Sequence, residues 1–303
     1  MHRADRAGGS VLTGHLRHRV TDGFRRELAR FCLSLSGRSE SLAKKLSSSR
    51  AAYPSHPQNA RFKDLHAGRR AFVIGNGPSL AKQDLGILKG ELLFTMNAFD
   101  RHPLCAVLQP VYLFLADPDA FDNQPAHESF LVRIAEGISR ESKVFVPAWA
   151  QLESVTLKRW QAAGQLCSVP LVGNMADGPV TAVDMCIGLP GVQNVAQFAL
   201  MTAMYMGCNP IYLVGLDSNF AEINNVDTHF YDEPTFDESR DCTERDECGT
   251  YERTLEATLI MFRGYRHLWD FCRRKQIRVY NCTAGGCLDV FPRRHLEQVV
   301  GAR

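Results

Sequence analysis

Directly after the apolar run Phe72-Val73-Ile74 the chain reads Gly75-Asn76-Gly77-Pro78-Ser79. Two glycines let the backbone approach a ligand with no Cβ in the way. Pro78 suits a first helical turn, and Ser79 can cap it. Amides at such a helix start can bind phosphate. The string is not Gly-x-Gly-x-x-Gly, because Leu80 stands where the third glycine would be, and no Gly-Lys-Ser/Thr follows it as in a Walker loop. The plainer alternative is a tight strand-to-helix turn with no ligand.

Four further places carry reactive or ligand-binding groups. Asn97 closes the run Leu92–Met96, where an amide can donate to a phosphate and accept from a ribose hydroxyl. Asp117 follows Val111–Ala116 and could accept from a sugar hydroxyl. Asp117-Pro118-Asp119 also has the Asp-x-Asp spacing of a divalent-metal site, although an Asp-Pro turn needs neither role. A contact to substrate is favoured over a metal. Asp217 ends the run Pro210–Val214 within Gly215-Leu216-Asp217, and His229 and Tyr231 lie on the polar stretch beyond it. Histidine can take the proton of an attacking hydroxyl, and tyrosine can hydrogen-bond a leaving phosphate. A loop histidine is as often plain surface. Cys242 and Cys248, with Cys282 and Cys287, have spacings that fit structural zinc poorly.

These residues need a scaffold that gathers them. Apolar runs at 70–74, 92–96, 111–116, 143–146, 210–214 and 277–280 alternate with helical stretches, among them 192–206 and 251–274. The second of these carries Leu255, Leu259, Phe262 and Trp269 along one side. Short continuous apolar strands alternating with helices imply an α/β fold: a Rossmann-like, doubly wound, mostly parallel sheet with helices on both faces. Ligands in such sheets bind beyond the strands' carboxyl ends. Asn76, Ser79, Asn97, Asp117, Asp217 and Asn281 would therefore converge on one edge. Residues 151–190 and 217–250 break the alternation and read as lid-like segments.

The chain has 303 residues and a formal net charge of +2, which argues for no nucleic-acid partner. The charge is uneven. Residues 1–50 hold 11 Lys/Arg against 4 Asp/Glu, a local +7, which leaves −5 for the rest. The expected organisation is a basic helical arm and linker over 1–60 and a catalytic domain over 61–303. The arm could meet an anionic membrane surface or simply pack on the domain. No apolar run is long enough to span a membrane and no signal-peptide core is present. A cytoplasmic protein is expected, with the arm suited to the inner face of the membrane and the cysteines mostly buried thiols.

Residues ~62–295 resemble bacterial proteins related to the archaeal-type 6-hydroxymethylpterin diphosphokinase (MptE-like). The resemblance rests on Gly75–Leu80, Asn97, Asp117-Pro118, Met206–Asp217, His229–Tyr231 and Tyr280–Pro292. That family shares a Rossmann-like core with the bacterial CMP-sialic-acid sialyltransferases and the motility accessory factor glycosyltransferases. The resemblance implies donor-nucleotide contacts at Asn76 and Asn97, a histidine base for which His229 is the counterpart, and tyrosine on the leaving phosphate. It thus implies transfer of a sugar from a nucleotide-activated donor, CMP-linked in the sialyltransferases, to a cell-envelope glycan or protein acceptor in polysaccharide biosynthesis or protein glycosylation. No metal cofactor is needed for that chemistry. A pterin-kinase activity would instead need ATP and Mg²⁺, with Asp117 and Asp217 as ligands. A non-catalytic nucleotide-binding scaffold is the third possibility.

Overall fold

The computed structural model describes residues 55–121, 125–150, 152–222, 229–230 and 251–301. Most of the basic arm, Tyr231, Cys242, Cys248 and nearly all of 223–250 lie outside the described residues, as does the side chain of Asp119.

Seven strands form one parallel sheet: β1 (Ala71–Ile74), β2 (Leu93–Met96), β3 (Tyr112–Phe114), β4 (Lys143–Pro147), β5 (Leu166–Val169), β8 (Ile211–Val214) and β9 (Val279–Asn281), ordered β5-β4-β3-β2-β1-β8-β9. The central strands are buried throughout, as strands covered on both faces must be. Alternate residues serve opposite faces. Ala71 and Val73 join a core with Phe94, Phe114 and Phe198, while Phe72 and Ile74 pack with Leu80, Leu85 and Leu88. The architecture is thus the Rossmann-like α/β fold that the sequence pattern implies.

The helices are α1 (Cys105–Leu108), α2 (Pro125–Gly137), α3 (Val155–Ala162), α4 (Val195–Tyr205), α5 (Tyr251–Lys275) and α6 (Leu296–Gly301). The buried α4 lies against the middle of the sheet, its side chains almost all inside. The inward face of α5 begins later than the sequence pattern indicates. Met261, Tyr265, Leu268 and Cys272 are buried at spacings of four, three and four, whereas Leu255 and Leu259 are exposed.

Two expectations need correction. Residues 151–190 are no lid. They supply α3, the edge strand β5 and a small parallel pair, β6 (Leu171–Val172) with β7 (Leu189–Pro190), and they bury Leu157, Val169, Met175, Met185 and Leu189. Residues 57–60, which the sequence places in the linker, start a 3-10 turn (Pro57–Phe62) that belongs to the domain. Asn59 Nδ2 donates to the carbonyls of Ser168 and Met185, and Phe62 meets Phe145 edge-on. Of the seven described cysteines, five are buried, in keeping with their apolar settings. No helix among the described residues is long and apolar enough to cross a membrane.

Two half-buried histidines couple this fold to pH. His66 shares a 2.7 Å hydrogen bond with the Tyr112 hydroxyl, and His102 Nδ1 accepts from the Leu104 amide while its ring stacks on Phe99. Burial pulls both below the ordinary value of 6.5, and Arg69 adds to this at His66. Native His66 and His102 therefore bind protons less readily than their unfolded counterparts. The stability tied to their neutral forms is intact above 6.5 and is lost as pH falls through the lowered folded values. Thermal unfolding across that range should show a falling midpoint on acidification, with a shallower fall in His102→Gln. An equal slope in both proteins would remove His102 from this account.

Candidate functional site

In an open sheet with this order, the crevice forms where strand connections run in opposite directions, here between β1 and β8. A cavity of about 570 Å³ opens there. Its wall collects Gly75, Asn76 and Gly77 from the end of β1, Asn97 after β2, Asp117 after β3, Gly215–Phe220 after β8, and His229. The chain segments that the sequence analysis singled out thus meet in one place. Three of its residues do not reach the cavity wall, Pro78, Ser79 and Asn281. Ser79 is buried beneath Asp217, and Asn281 is buried within the turn after β9, where its side chain donates to Leu288 O and accepts from Thr283 N.

The turn after β1 differs from its expected form. Pro78–Lys82 is a five-residue 3-10 turn, and its amides are already engaged: Gly77 N donates to Gly215 O at 2.9 Å and Ser79 N to Asp217 Oδ1 at 3.2 Å. Ser79 Oγ donates to Asp217 Oδ2 at 2.7 Å. The carboxylate of Asp217 therefore sits where the sequence analysis places a phosphate. Burial raises the Asp217 carboxyl above its ordinary value, against the opposing pull of the Ser79 hydrogen bonds and of Lys82. Gly77 has ordinary extended dihedrals, so its lack of a side chain is needed for space: a Cβ there would overlap the Asp217 carboxylate and stand 2.8 Å from Gly215 O.

A helix start suited to an anion enters the same cavity from the other side. Gln193, Asn194, Val195 and Ala196 line it, and they are the cap and first turn of the eleven-residue α4. Asn194 Oδ1 accepts from Gln197 N and from the Tyr265 hydroxyl, which fixes the cap. First-turn amides have no partner within the helix, and the macrodipole makes this end positive. The sequence analysis starts this helix at Val192. The cap at Asn194 moves the start to Val195 and turns the polar Gln193-Asn194 pair into cleft wall.

The asparagines hold unusual states. Asn76 Nδ2 donates to Met96 O at 3.0 Å, while its Oδ1 is buried with no hydrogen-bond partner among the described residues. A buried unpaired acceptor is costly, about 1–3 kcal/mol. Asn97 has φ +46 and Ser218 φ +54, left-handed conformations rare outside glycine. Two such residues on one cavity wall are the kind of local strain that clusters at ligand sites.

His229 stands at the cavity wall because its neighbour is anchored. Phe230 N donates to Asn76 O at 2.9 Å, and the Phe230 ring meets His102 edge-on. Asp117 is exposed at the rim. Two partly exposed aromatics also face the cavity, Phe220, which ends the Gly215–Phe220 string, and Trp149, which the sequence pattern did not single out. Trp149 follows β4 as Asn97 follows β2, so its place at a strand's carboxyl end was its only signal.

Fold and cleft together define a Rossmann-like α/β protein with a cavity at the carboxyl ends of its parallel strands. No family model and no curated protein matches the chain. Among solved structures, it is similar to the MAf glycosyltransferase from Magnetospirillum magneticum AMB-1, with a TM-score of 0.44 and 14% identity over 77% of this chain and 34% of that one. It spans about a third of that protein's length. It is also similar to the sialyltransferase CstII from Campylobacter jejuni in complex with cytidine-5'-monophosphate, with a TM-score of 0.41 and 14% identity over 75% of this chain and 85% of that one. The sialyltransferase CST-II in complex with a trisaccharide acceptor and CMP gives a TM-score of 0.41 and 14% identity over 74% and 85%. At that identity the likeness assigns no residue a role.

Proposed function

We propose that the chain is a glycosyltransferase that moves a sugar from a nucleotide-activated donor to a hydroxyl of a glycan or protein acceptor. The observation that carries this reading is the meeting, in one cavity, of an anion-suited helix start and an anchored histidine: Gln193–Ala196 on one side and His229 on the other. The donor's phosphate lies at the first turn of α4, a different seat from the Pro78–Ser79 turn. The orphaned Oδ1 of Asn76 takes a donor from the ligand, a ribose hydroxyl or a base amino group, and Asn97 and Asp117 contact the nucleotide or sugar. Trp149 and Phe220 offer faces for a base or sugar ring.

His229 removes the proton of the acceptor hydroxyl as its oxygen bonds to the anomeric carbon. The bond from that carbon to the donor phosphate breaks, and the nucleotide leaves with the electron pair. The developing charge meets the positive end of α4, with Tyr231 as a further donor to the phosphate. A CMP-linked donor is what the resemblance of Asn76 and Asn97 to the donor-contacting asparagines of the sialyltransferases implies. Work at the inner face of a membrane, through the basic arm, suits an envelope acceptor.

Pyrophosphoryl transfer with Mg²⁺ is the weaker reading. Asp217 would have to hold the metal, yet both its oxygens serve Ser79. A thermal-shift series decides between the two. CMP or another sugar-nucleotide product should raise the unfolding midpoint without added metal, by about 2.7 kcal/mol of stability at a hundredfold excess over Kd. A shift with ATP only in the presence of Mg²⁺ transfers the assignment to the kinase reading, and nucleotide binding without turnover of any sugar donor transfers it to a scaffold.

A further inference from the structure

A second cavity, of about 420 Å³, lies behind the Asp217 loop, lined by Lys82, Gln83, Cys282–Gly285 and Arg293–Glu297. Three cations, Lys82, Arg293 and Arg294, face one carboxylate, Glu297, so the wall carries +2 before His295 is counted. None of Lys82, Arg294 and His295 forms an ion pair among the described residues.

The cavity is built. Gln83 bridges its two sides, donating through Nε2 to Cys282 O and accepting from Ala284 N. Arg293 spends its fork on the carbonyls of Thr283, Gly285, Gly286 and Leu288, which braces the turn, and it forms no ion pair among the described residues. Arg294 lies over the Tyr280 ring, 5.2 Å from its centre, so the guanidinium is held in place before any ligand arrives. A planar guanidinium with an adjacent ammonium and imidazole suits a multiply charged oxyanion, since a single carboxylate would neutralise only half of the surplus.

We propose that this second cavity binds a phosphate or diphosphate group. It abuts the first: Lys82 closes the turn that carries Ser79, and Cys287 N donates to Asp217 O at 2.6 Å. A phosphate-bearing acceptor, a glycosyl phosphate or a lipid-linked diphosphate, would be gripped here by its charged end. That assignment to the acceptor rests on the glycosyltransferase reading; the anion site does not.

Calorimetric titration of the full chain with inorganic pyrophosphate, and separately with CMP, tests it. In Arg294→Gln/His295→Gln, pyrophosphate affinity should fall by about tenfold or more while CMP affinity is unchanged. In Asn97→Gly, which tolerates the left-handed backbone, CMP affinity should fall and pyrophosphate affinity hold. Lys82→Gln is the second variant, should the double one unfold at a lower temperature than wild type. Pyrophosphate binding that is absent, or indifferent to both Arg294→Gln/His295→Gln and Lys82→Gln, overturns the proposal. Failure of CMP alone to bind removes a CMP-linked donor and leaves the anion site standing. Vesicles of phosphatidylcholine doped with phosphatidic acid then separate the sources. Capture of wild type that is weakened in the double variant puts the phosphate on a lipid, and pyrophosphate binding with capture equal in both proteins or absent puts it on a soluble ester.

Discussion

Replacing His229 with alanine is expected to lower kcat by about 10²- to 10⁴-fold, with nucleotide affinity within about twofold of wild type. The split follows from where His229 sits. It lines the cavity without belonging to the glycine turn or to the first turn of α4, so its loss removes a proton acceptor and leaves the nucleotide's seat intact. Its position depends on Phe230, whose amide is tied to Asn76 O and whose ring rests on His102. Phe230→Ala should therefore also lower kcat by releasing the histidine, and here added imidazole should rescue nothing, because the base is present but misplaced. His229→Ala, which opens a space of imidazole size, is the variant that imidazole can rescue. The measurement is steady-state transfer from a nucleotide-sugar donor, with nucleotide affinity taken by calorimetry. Normal turnover in His229→Ala would remove the base assignment, and a joint loss of turnover and nucleotide binding would make His229 a binding residue.

The sheet was legible because its strands are buried on both faces and so read as unbroken apolar runs; Phe72–Ile74 and Ile211–Val214 admit no other reading. The edge strand β5 was not, because Leu166-Cys-Ser-Val alternates buried with half-buried residues and lies in a stretch rich in turns. The 3-10 geometry after β1 was hidden for a similar reason. Leu80, Leu85 and Leu88 bury fully at spacings of five and three, a pattern no single α-helical face produces, yet Pro78 and Ser79 are sound helix starters. Strand ends are local features, so Asn76, Asn97, Asp117 and Asp217 could be placed from sequence. The α4 start could not, because whether Gln193 and Asn194 lie inside or just outside a helix turns on one cap hydrogen bond. The partners of Asp217 were equally out of reach, since Ser79 is 138 residues away in the chain.

That long-range pair gives the other large effect. Asp217→Ala is expected to destabilise the domain by about 2–4 kcal/mol and to abolish nucleotide binding, since it strands a buried hydroxyl and a buried amide of Ser79 together, at about 1–3 kcal/mol each before relaxation. Asp217→Asn is expected to do neither. An asparagine keeps one oxygen to accept from Ser79 N and presents an NH₂ to Ser79 Oγ, which can turn to accept. It also drops a charge that burial disfavours, as the raised carboxyl indicates. The pair of variants separates two roles that the position at the end of β8 leaves entangled. If Asp217 only clamps the turn after β1, Asp217→Asn retains kcat within about tenfold and the unfolding midpoint near wild type. If its carboxylate handles a proton or a metal during transfer, Asp217→Asn is as dead as Asp217→Ala while remaining folded. The clamp predicts a third result. Gly77→Ala, which adds only a methyl against the Asp217 carboxylate, should reproduce the Asp217→Ala phenotype, because both break the same contact from opposite sides. Chemical denaturation for stability and calorimetry for nucleotide binding give the comparison, and a stable, nucleotide-binding Gly77→Ala would show that the turn does not depend on this contact.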